Sequence, residues 1–311
     1  MTNTDLLAQA FEEHRDHLRA VAYRLLGSAS DADDAVQDAW LRLTSTDAST
    51  VENIGAWLTT VVARVSLNML RSRRRRREEP VGDRWPAAAE AVARAAAGSP
   101  VAGSGAGAAH TGNPENEAVL ADSVGLALLV VLDRLTPAER LAFVLHDVFA
   151  MSFAEVGSVL GRSPEAARQL ASRARRRVRG TPDAEHGDLT RQREVATAFL
   201  AATRGGDMAA LLGLLDAEVA LTADGAAAPA GRPVTLQGID VVSRGAVASS
   251  PRAEHSQLAL IDGSVGIVYA PGGRLQLVLA FTLNRAGKIS GIDVIADPVR
   301  LDQLELAVLP D

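Results

Sequence analysis

The stretch Ser152–Val178, "SFAEVGSVLGRSPEAARQLASRARRRV", decides how the first half of this chain is read. The segment "SFAEVGSVLG" has the pattern of a short helix that Gly161 ends in a tight turn, and Ser163-Pro164 caps and starts a second helix. On that second helix Ala167, Leu170, Ala171, Ala174 and Val178 share one face, which leaves Glu165, Arg168, Gln169, Ser172, Arg173 and Arg176 pointing away from it. Helix, glycine turn and helix at this length predict a helix-turn-helix, whose second helix reads base edges with its N-terminal half. In that setting Arg168 suits guanine, Gln169 suits adenine, and Glu165 accepts from cytosine. Arg162, Arg173 and Arg176 suit phosphates. A helical hairpin with a merely solvated basic exterior carries the same pattern, so evidence from elsewhere in the chain has to decide.

The charge distribution supplies some. The 311 residues hold 32 basic and 38 acidic side chains, a net charge of −6. Residues 1–180 hold 22 of each sign, whereas residues 181–311 hold 10 basic and 16 acidic. Seven arginines fall in Arg64–Arg77 and seven more in Arg162–Arg179. Two such clusters, each ending a helical segment, favour a nucleic-acid partner over a solvated face. The absence of cysteine excludes disulfides, thiol catalysis and cysteine-ligated zinc, and it fits a reducing cytoplasm. The N-terminus lacks the apolar core of a signal peptide, and runs such as "VGLALLVVL" are too short to span a bilayer. A soluble cytoplasmic protein without a membrane partner is therefore expected.

Outward from the opening stretch, the rest of the first half is also helical. Residues 5–27 carry Leu7, Phe11, Leu18, Val21, Ala22 and Leu25 at helical spacing, with Gly27 as the stop. Ser30 or Asp31 is the expected N-cap of a second helix through Leu43. A third helix runs from Ile54 to about Arg77, with Trp57, Leu58, Val61, Val62, Val65 and Met69 as its buried stripe. Residues 80–114 are rich in Ala, Gly, Pro and Ser and read as a flexible linker. The "GSGAG" within them is no phosphate loop, because no Lys-Ser/Thr follows and no strand precedes it. Residues 115–180 are helical again, with Thr136 as N-cap and Pro137 at the first helical position of one helix. From 181 onward two helices broken at Gly205-Gly206, a strand "EVALTAD", a helix "GIDVVSRGAVA", four strands in a meander and a last helix "PVRLDQLEL" predict an α+β domain.

"DADDAVQDAWLRL", "AWLTTVVARVSLNMLRSRRRRR" and the distal helix-turn-helix together resemble a bacterial RNA polymerase sigma factor of the extracytoplasmic-function (ECF) type. The resemblance covers region 2 at about residues 8–77 and region 4 at about 118–179. It implies a domain division of 1–79, 80–114, 115–180 and 181–311. It implies that Asp33, Asp34, Gln37 and Asp38 dock on the β′ clamp helices of core polymerase, and their acidic helical face suits a basic partner. It implies that Asn53, Trp57, Arg64, Asn68 and Arg71 meet the −10 element. It also implies that Arg162, Ser163, Glu165, Arg168, Gln169, Ser172, Arg173 and Arg176 meet the −35 element. The partners expected are core RNA polymerase, through β′ and β, and promoter DNA. Val65 stands where the family commonly has asparagine, and Asn68 where it commonly has aspartate.

Residues 181–311 resemble SnoaL-like members of the NTF2-like superfamily, an arrangement known in sigma factors of the sigma-J type. The fold class expected is multidomain: two all-α sigma domains, a region 2 bundle and a region 4 helix-turn-helix, plus an α+β cone domain. "DGAAAPA" at Asp224–Ala230 and "DPVRL" at Asp297–Leu301 stand where such proteins often carry "DGGGK"-like and "NPDKL"-like motifs. Asp224, Asp297, Pro298 and Leu301 are accordingly expected at a regulatory contact between domains. The fold usually encloses a pocket, for which Asp224, Arg232, His255 and Asp293 are the candidate polar lining and some small ligand the candidate occupant. A pocket enzyme of the isomerase or hydrolase kind fused to a DNA-binding module is the competing reading, and an unrelated helix-turn-helix regulator is a third. Neither accounts for the acidic "DADDAVQD" helix. No cofactor or metal is expected, and His14 and His17 have no evident third ligand.

Overall fold

The computed structural model describes residues 3–45, 53–77, 125–180, 189–228 and 231–309. The linker expected over 80–114 lies outside the described residues. The chain divides into two compact units. Among the described residues, one comprises 3–45, 53–77, 125 and 132–177, and the other 126–131, 178–180, 189–228 and 231–309.

In the first unit α1 (Asn3–Leu26), α2 (Ala29–Thr44) and α3 (Ile54–Arg77) pack around a shared core in which Leu18, Leu25, Leu43 and Leu58 are fully buried. Burial of each such leucine is worth roughly 1.5–3 kcal/mol relative to exposure. Gly27, at φ +72°, turns the chain out of α1. The N-cap of α2 is Ser28, whose hydroxyl accepts from the Asp31 amide, and not Ser30 or Asp31. The left-handed glycine hands the extended conformation to the very next residue, and only that residue can cap. On α3 the buried face is wider than the expected stripe: Leu58, Val62 and Val65 are buried with Ala63, Ser66, Leu67 and Leu70, while Trp57, Val61 and Met69 are half-buried.

The helical part continues with α4 (Leu126–Asp133), α5 (Pro137–Phe143), α6 (Phe153–Leu160) and α7 (Pro164–Arg179). Thr136 and Ser152 each form a capping box, with Glu139 and Glu155 respectively. Between α5 and α6 the chain widens into a π-helical turn over Val144–Val148. Arg140, only 2% exposed, donates to Asp133 at 3.4 Å and to the Arg24 carbonyl oxygen at 3.4 Å, so it ties α5 to the end of α1.

The second unit carries α8 (Leu189–Gly205) and α9 (Met208–Leu214), then β1 (Leu215–Ala223), β2 (Val234–Gln237), α10 (Ile239–Ala248) and α11 (Ser250–Ala253). It continues with β3 (Ser256–Ile261), β4 (Ser264–Tyr269), β5 (Leu277–Leu283), β6 (Ile289–Ile295), α12 (Pro298–Gln303) and β7 (Leu306–Ala307). The strands form one seven-stranded sheet in the order β2-β1-β6-β5-β4-β3-β7. Most neighbours are antiparallel, but β1 and β6 run parallel, with Leu221 opposite Ile292. Phe199, Leu211, Leu215, Val242, Ile267 and Ile289 anchor the core between the helices and the sheet. The unit also takes in Leu126–Val131, and there the Ala127 amide donates to Gln257 Oε1 at 3.0 Å.

Candidate nucleic-acid interface

The helix-turn-helix is built as its sequence indicates. Ala167, Leu170, Ala171, Ala174 and Val178 are all buried. Gly161, at φ +65°, ends α6, and the Arg162 amide closes the turn on the Gly157 carbonyl oxygen at 2.9 Å. A Cβ at Gly157 would lie 2.7 Å from the Arg162 carbonyl oxygen, so glycine is required there as well. Arg162, Ser163, Glu165, Arg168, Gln169, Ser172, Arg173 and Arg176 are exposed on the outer face. The Ser163 hydroxyl caps α7 by accepting from the Ala166 amide at 3.2 Å. Arg168 lies over the Phe153 ring at 5.1 Å. That contact steadies its guanidinium on the exposed face. Glu165 is held below the usual carboxylate pKa by its own backbone amide first, then by the Ser163 hydroxyl and by Arg168, so it remains an acceptor.

Two of the seven arginines in this cluster have another task. Arg175 donates to Asp147 at 2.6 Å and Arg177 to Glu139 at 3.0 Å, fastening α7 to the helices behind it. Sequence periodicity assigns a face, but it does not show which acids wait beside that face.

On α2 the residues Asp33, Asp34, Gln37 and Asp38 are exposed, opposite the buried Ala32, Ala35, Val36 and Ala39. Asp33 accepts from Arg19 at 2.6 Å and Asp38 from Arg42 at 3.5 Å. Both are surface pairs, which are worth less than about 1 kcal/mol and yield readily to a partner. The sequence reading missed Leu41. It is 57% exposed, and it sits seven residues from Asp34 and three from Asp38, on the same face. The signal was there in principle, as a leucine at a polar position of an amphipathic helix.

Along α3, Trp57, Arg64, Asn68 and Arg71 fall on one stripe, with Asn53 just before the helix. Asn53 accepts from the Ala56 amide at 3.0 Å and so caps α3. Trp57 is half-buried, whereas Asn53, Arg64, Asn68 and Arg71 are exposed. Val65 is buried, which accounts for an apolar residue where the family commonly has asparagine. Arg64 donates to the Ser158 carbonyl oxygen at 3.0 Å, and Arg73 is tied to Asp31 and to the Leu26 carbonyl oxygen. Asp38 and Asn68 line the same polar groove.

In the second unit Asp224 is 7% exposed and accepts from four backbone amides, those of Ala226, Ala227, Ala296 and Asp297, at 2.9–3.1 Å. Asp297 caps α12 and Leu301 is buried beneath it, while Pro298 is exposed beside Val299. The cavity of this unit is not lined by Asp224, Arg232, His255 or Asp293, the residues expected there. Asp224 is consumed by backbone amides, Asp293 by Arg300 at 3.0 Å, and Arg232 and His255 face solvent. Among the described residues no group of three His, Cys, Asp or Glu side chains is gathered to hold a metal, and no helix is long and apolar enough to cross a membrane.

Two family profiles match the chain: Sigma-70 region 2 over residues 10–76, and Sigma-70, region 4 over residues 125–178. Both fall on the helical segments that carry the faces described above. The chain is 40% identical over 303 residues to the ECF RNA polymerase sigma factor SigJ of Mycobacterium tuberculosis H37Rv, covering 93% of this chain and 91% of that protein. It is 30% identical over 309 residues to the probable ECF RNA polymerase sigma factor SigI of the same species, covering 98% of each. A crystal structure of M. tuberculosis SigJ aligns over 94% of this chain and 98% of that one, with 36% identity and a TM-score of 0.45. The chain belongs to the ECF RNA polymerase sigma factors. It is a transcription initiation factor that directs promoter-specific initiation, and not an enzyme. The helices and sheet of its second unit have the build expected of a SnoaL-like domain.

Proposed function

We propose that the exposed face of α2 docks on the β′ clamp helices of core RNA polymerase through Asp33, Asp34, Gln37 and Asp38, with Leu41 as its apolar contact. The acidic charges steer and orient a basic partner, and a leucine held in water among them contributes once covered. Asn53, Trp57, Arg64, Asn68 and Arg71 then face the −10 element. Arg162, Ser163, Glu165, Arg168, Gln169, Ser172, Arg173 and Arg176 face the −35 element. This assignment rests on the amphipathic split of α7, whose buried face is wholly Ala, Leu and Val and whose opposite face is arginine-rich and exposed.

The domain division at 1–79, 80–114, 115–180 and 181–311 is part of the same reading, as is a cytoplasmic location beside the polymerase. The C-terminal domain tunes promoter recognition. In support, Leu126–Val131, within the region 4 match, clusters with the C-terminal residues, and the Ala127 amide is held by Gln257. The Val178 carbonyl oxygen likewise accepts from the Val308 amide at 2.8 Å. Asp224 and Leu301 act on this tuning from beneath the surface, with Asp297 and Pro298 nearer to it. Quantitative footprinting of a selected promoter by the reconstituted holoenzyme tests the reading. Protection of both elements is the expected result, and protection of neither overturns it.

A further inference from the structure

Arg168 stands in the first half of α7, with its guanidinium over the Phe153 ring at 5.1 Å. Among the described residues it closes no hydrogen bond or ion pair, whereas Arg175 and Arg177 of the same helix are each spent on an acid. No other arginine of α7 rests on an aromatic ring among the described residues. A guanidinium held by its flat face keeps the N–H donors along its edge open. An arginine without such support carries rotamer freedom that a two-pronged contact has to remove.

The ring is itself held twice. Phe153 opens α6 directly after its N-cap, Ser152. The Ser152 hydroxyl accepts from the Glu155 amide at 3.3 Å, and the Glu155 carboxylate accepts from the Ser152 amide at 2.8 Å, which fixes where the helix begins. The His146 imidazole stacks on the ring, with 3.8 Å between centroids and 24° between planes. His146 Nδ1–H donates to the Met151 carbonyl oxygen at 2.8 Å, and the Met151 amide donates to that of Leu145 at 2.9 Å. The imidazole is thereby tied into the π-helical turn. Phe153 is only half-buried, and the buried face of α6 consists of Val156, Gly157, Val159 and Leu160. Its aromatic character therefore answers to its two stacking partners more than to the core.

We infer that Phe153, stacked with His146, is a positioning residue for Arg168 and sets how sharply the protein discriminates at the one base pair that Arg168 meets. The inference rests on the proposed placement of Arg168 at the −35 element. A contact that leaves the N–H edge open persists while a base edge is bound, so it lowers the ordering cost only on duplexes that Arg168 engages.

The test uses the reconstituted holoenzyme and duplexes that carry each of the four base pairs at the position where Arg168→Ala changes preference. Phe153→Leu keeps an apolar side chain without the ring. It is expected to lower discrimination there by about two- to fivefold, the worth of an exposed cation–π contact, with other positions and the salt slope unchanged. Phe153→Tyr retains the native discrimination. In the Arg168→Ala background Phe153→Leu changes nothing further. Full discrimination in Phe153→Leu, an equal loss at every position, or the same loss in the Arg168→Ala background overturns the inference. A base preference untouched by Arg168→Ala alone removes the placement of Arg168, and the inference with it. One further measurement needs no substitution. In the 15N-labelled full chain, relaxation of Arg168 Nε is expected to show less motion than that of Arg173 and Arg176 Nε, and equal mobility of the three overturns the inference.

Discussion

The Arg64 guanidinium donates to the Ser158 carbonyl oxygen at 3.0 Å, linking the stripe assigned to the −10 element to the first helix of the helix-turn-helix. Both residues belong to the first unit, where α3 also packs against α5 and α6. A duplex that engages region 2 and region 4 at separate elements has to take Arg64 from Ser158. The chain has no cysteine, so two introduced thiols report this cleanly. Dyes at Arg15→Cys and Ala154→Cys, both exposed positions, are expected to show high energy transfer in the free protein and a clear drop in the promoter-bound holoenzyme. Unchanged transfer would mean that the two regions stay together on DNA.

His17 stacks edge-on against Phe149 at 5.4 Å, and Arg24 lies over the same ring at 5.2 Å. Burial, then His14 and Arg24, lowers the His17 pKa below 6.5. The folded state thus disfavours the imidazolium, whereas the unfolded chain binds its proton from about pH 6.5 downward. The stability that neutral His17 contributes is present above pH 6.5 and is lost as the pH falls through the lowered value. Urea midpoints are expected to fall between pH 7.5 and pH 5 more steeply for the native chain than for His17→Gln. Parallel slopes would remove His17 as the cause.

The proposed assignment divides the exposed arginines of α7 into readers and holders. Arg173→Ala and Arg176→Ala should weaken duplex binding across sequences alike, each lowering the salt slope by roughly 0.9. Arg168→Ala should relax one base position by about 1–3 kcal/mol. Arg177→Ala should instead lower stability, since its partner Glu139 is buried. Selection from randomised duplexes, read beside thermal melts, separates the three behaviours. An unchanged base preference for Arg168→Ala excludes it as a reader.

Asp224 joins the loop after β1 to the end of β6 and the start of α12 through four backbone amides. Asp224→Ala leaves those donors unmatched and is expected to cost about 3 kcal/mol. Asp224→Asn keeps acceptor oxygen and should cost less. Chemical denaturation followed on the C-terminal methyl resonances gives both values, and a change under about 0.5 kcal/mol for the alanine variant would contradict the staple.

What the sequence made legible was local. The buried face of α7, the Thr136 cap and the Gly161 turn follow from helical periodicity and cap chemistry within a few residues. Ser28 was missed because three candidates, Ser28, Ser30 and Asp31, fall within four residues of Gly27, and the glycine conformation chooses among them. The four-residue β2 alternates, but set after a Gly- and Pro-containing loop it is too short to stand out as a strand. The parallel pairing of β1 with β6 depends on contacts between residues some seventy positions apart, which no periodicity reports. The cavity lining was misjudged for a related reason. Polar residues near its sequence neighbours were taken as lining, but Asp224 and Asp293 found partners within the scaffold.

The most direct test of the account is promoter-dependent transcription itself. Core polymerase is supplied with a promoter library and the full chain, and run-off products are sequenced. Transcripts are expected to start at a shared promoter motif only when the chain is present. Asp34→Arg with Asp38→Arg should reduce them at least about tenfold while circular dichroism stays unchanged, because reversed charge opposes a basic docking partner. Full activity of that double variant, or no motif-dependent transcript from the native chain, would contradict the account.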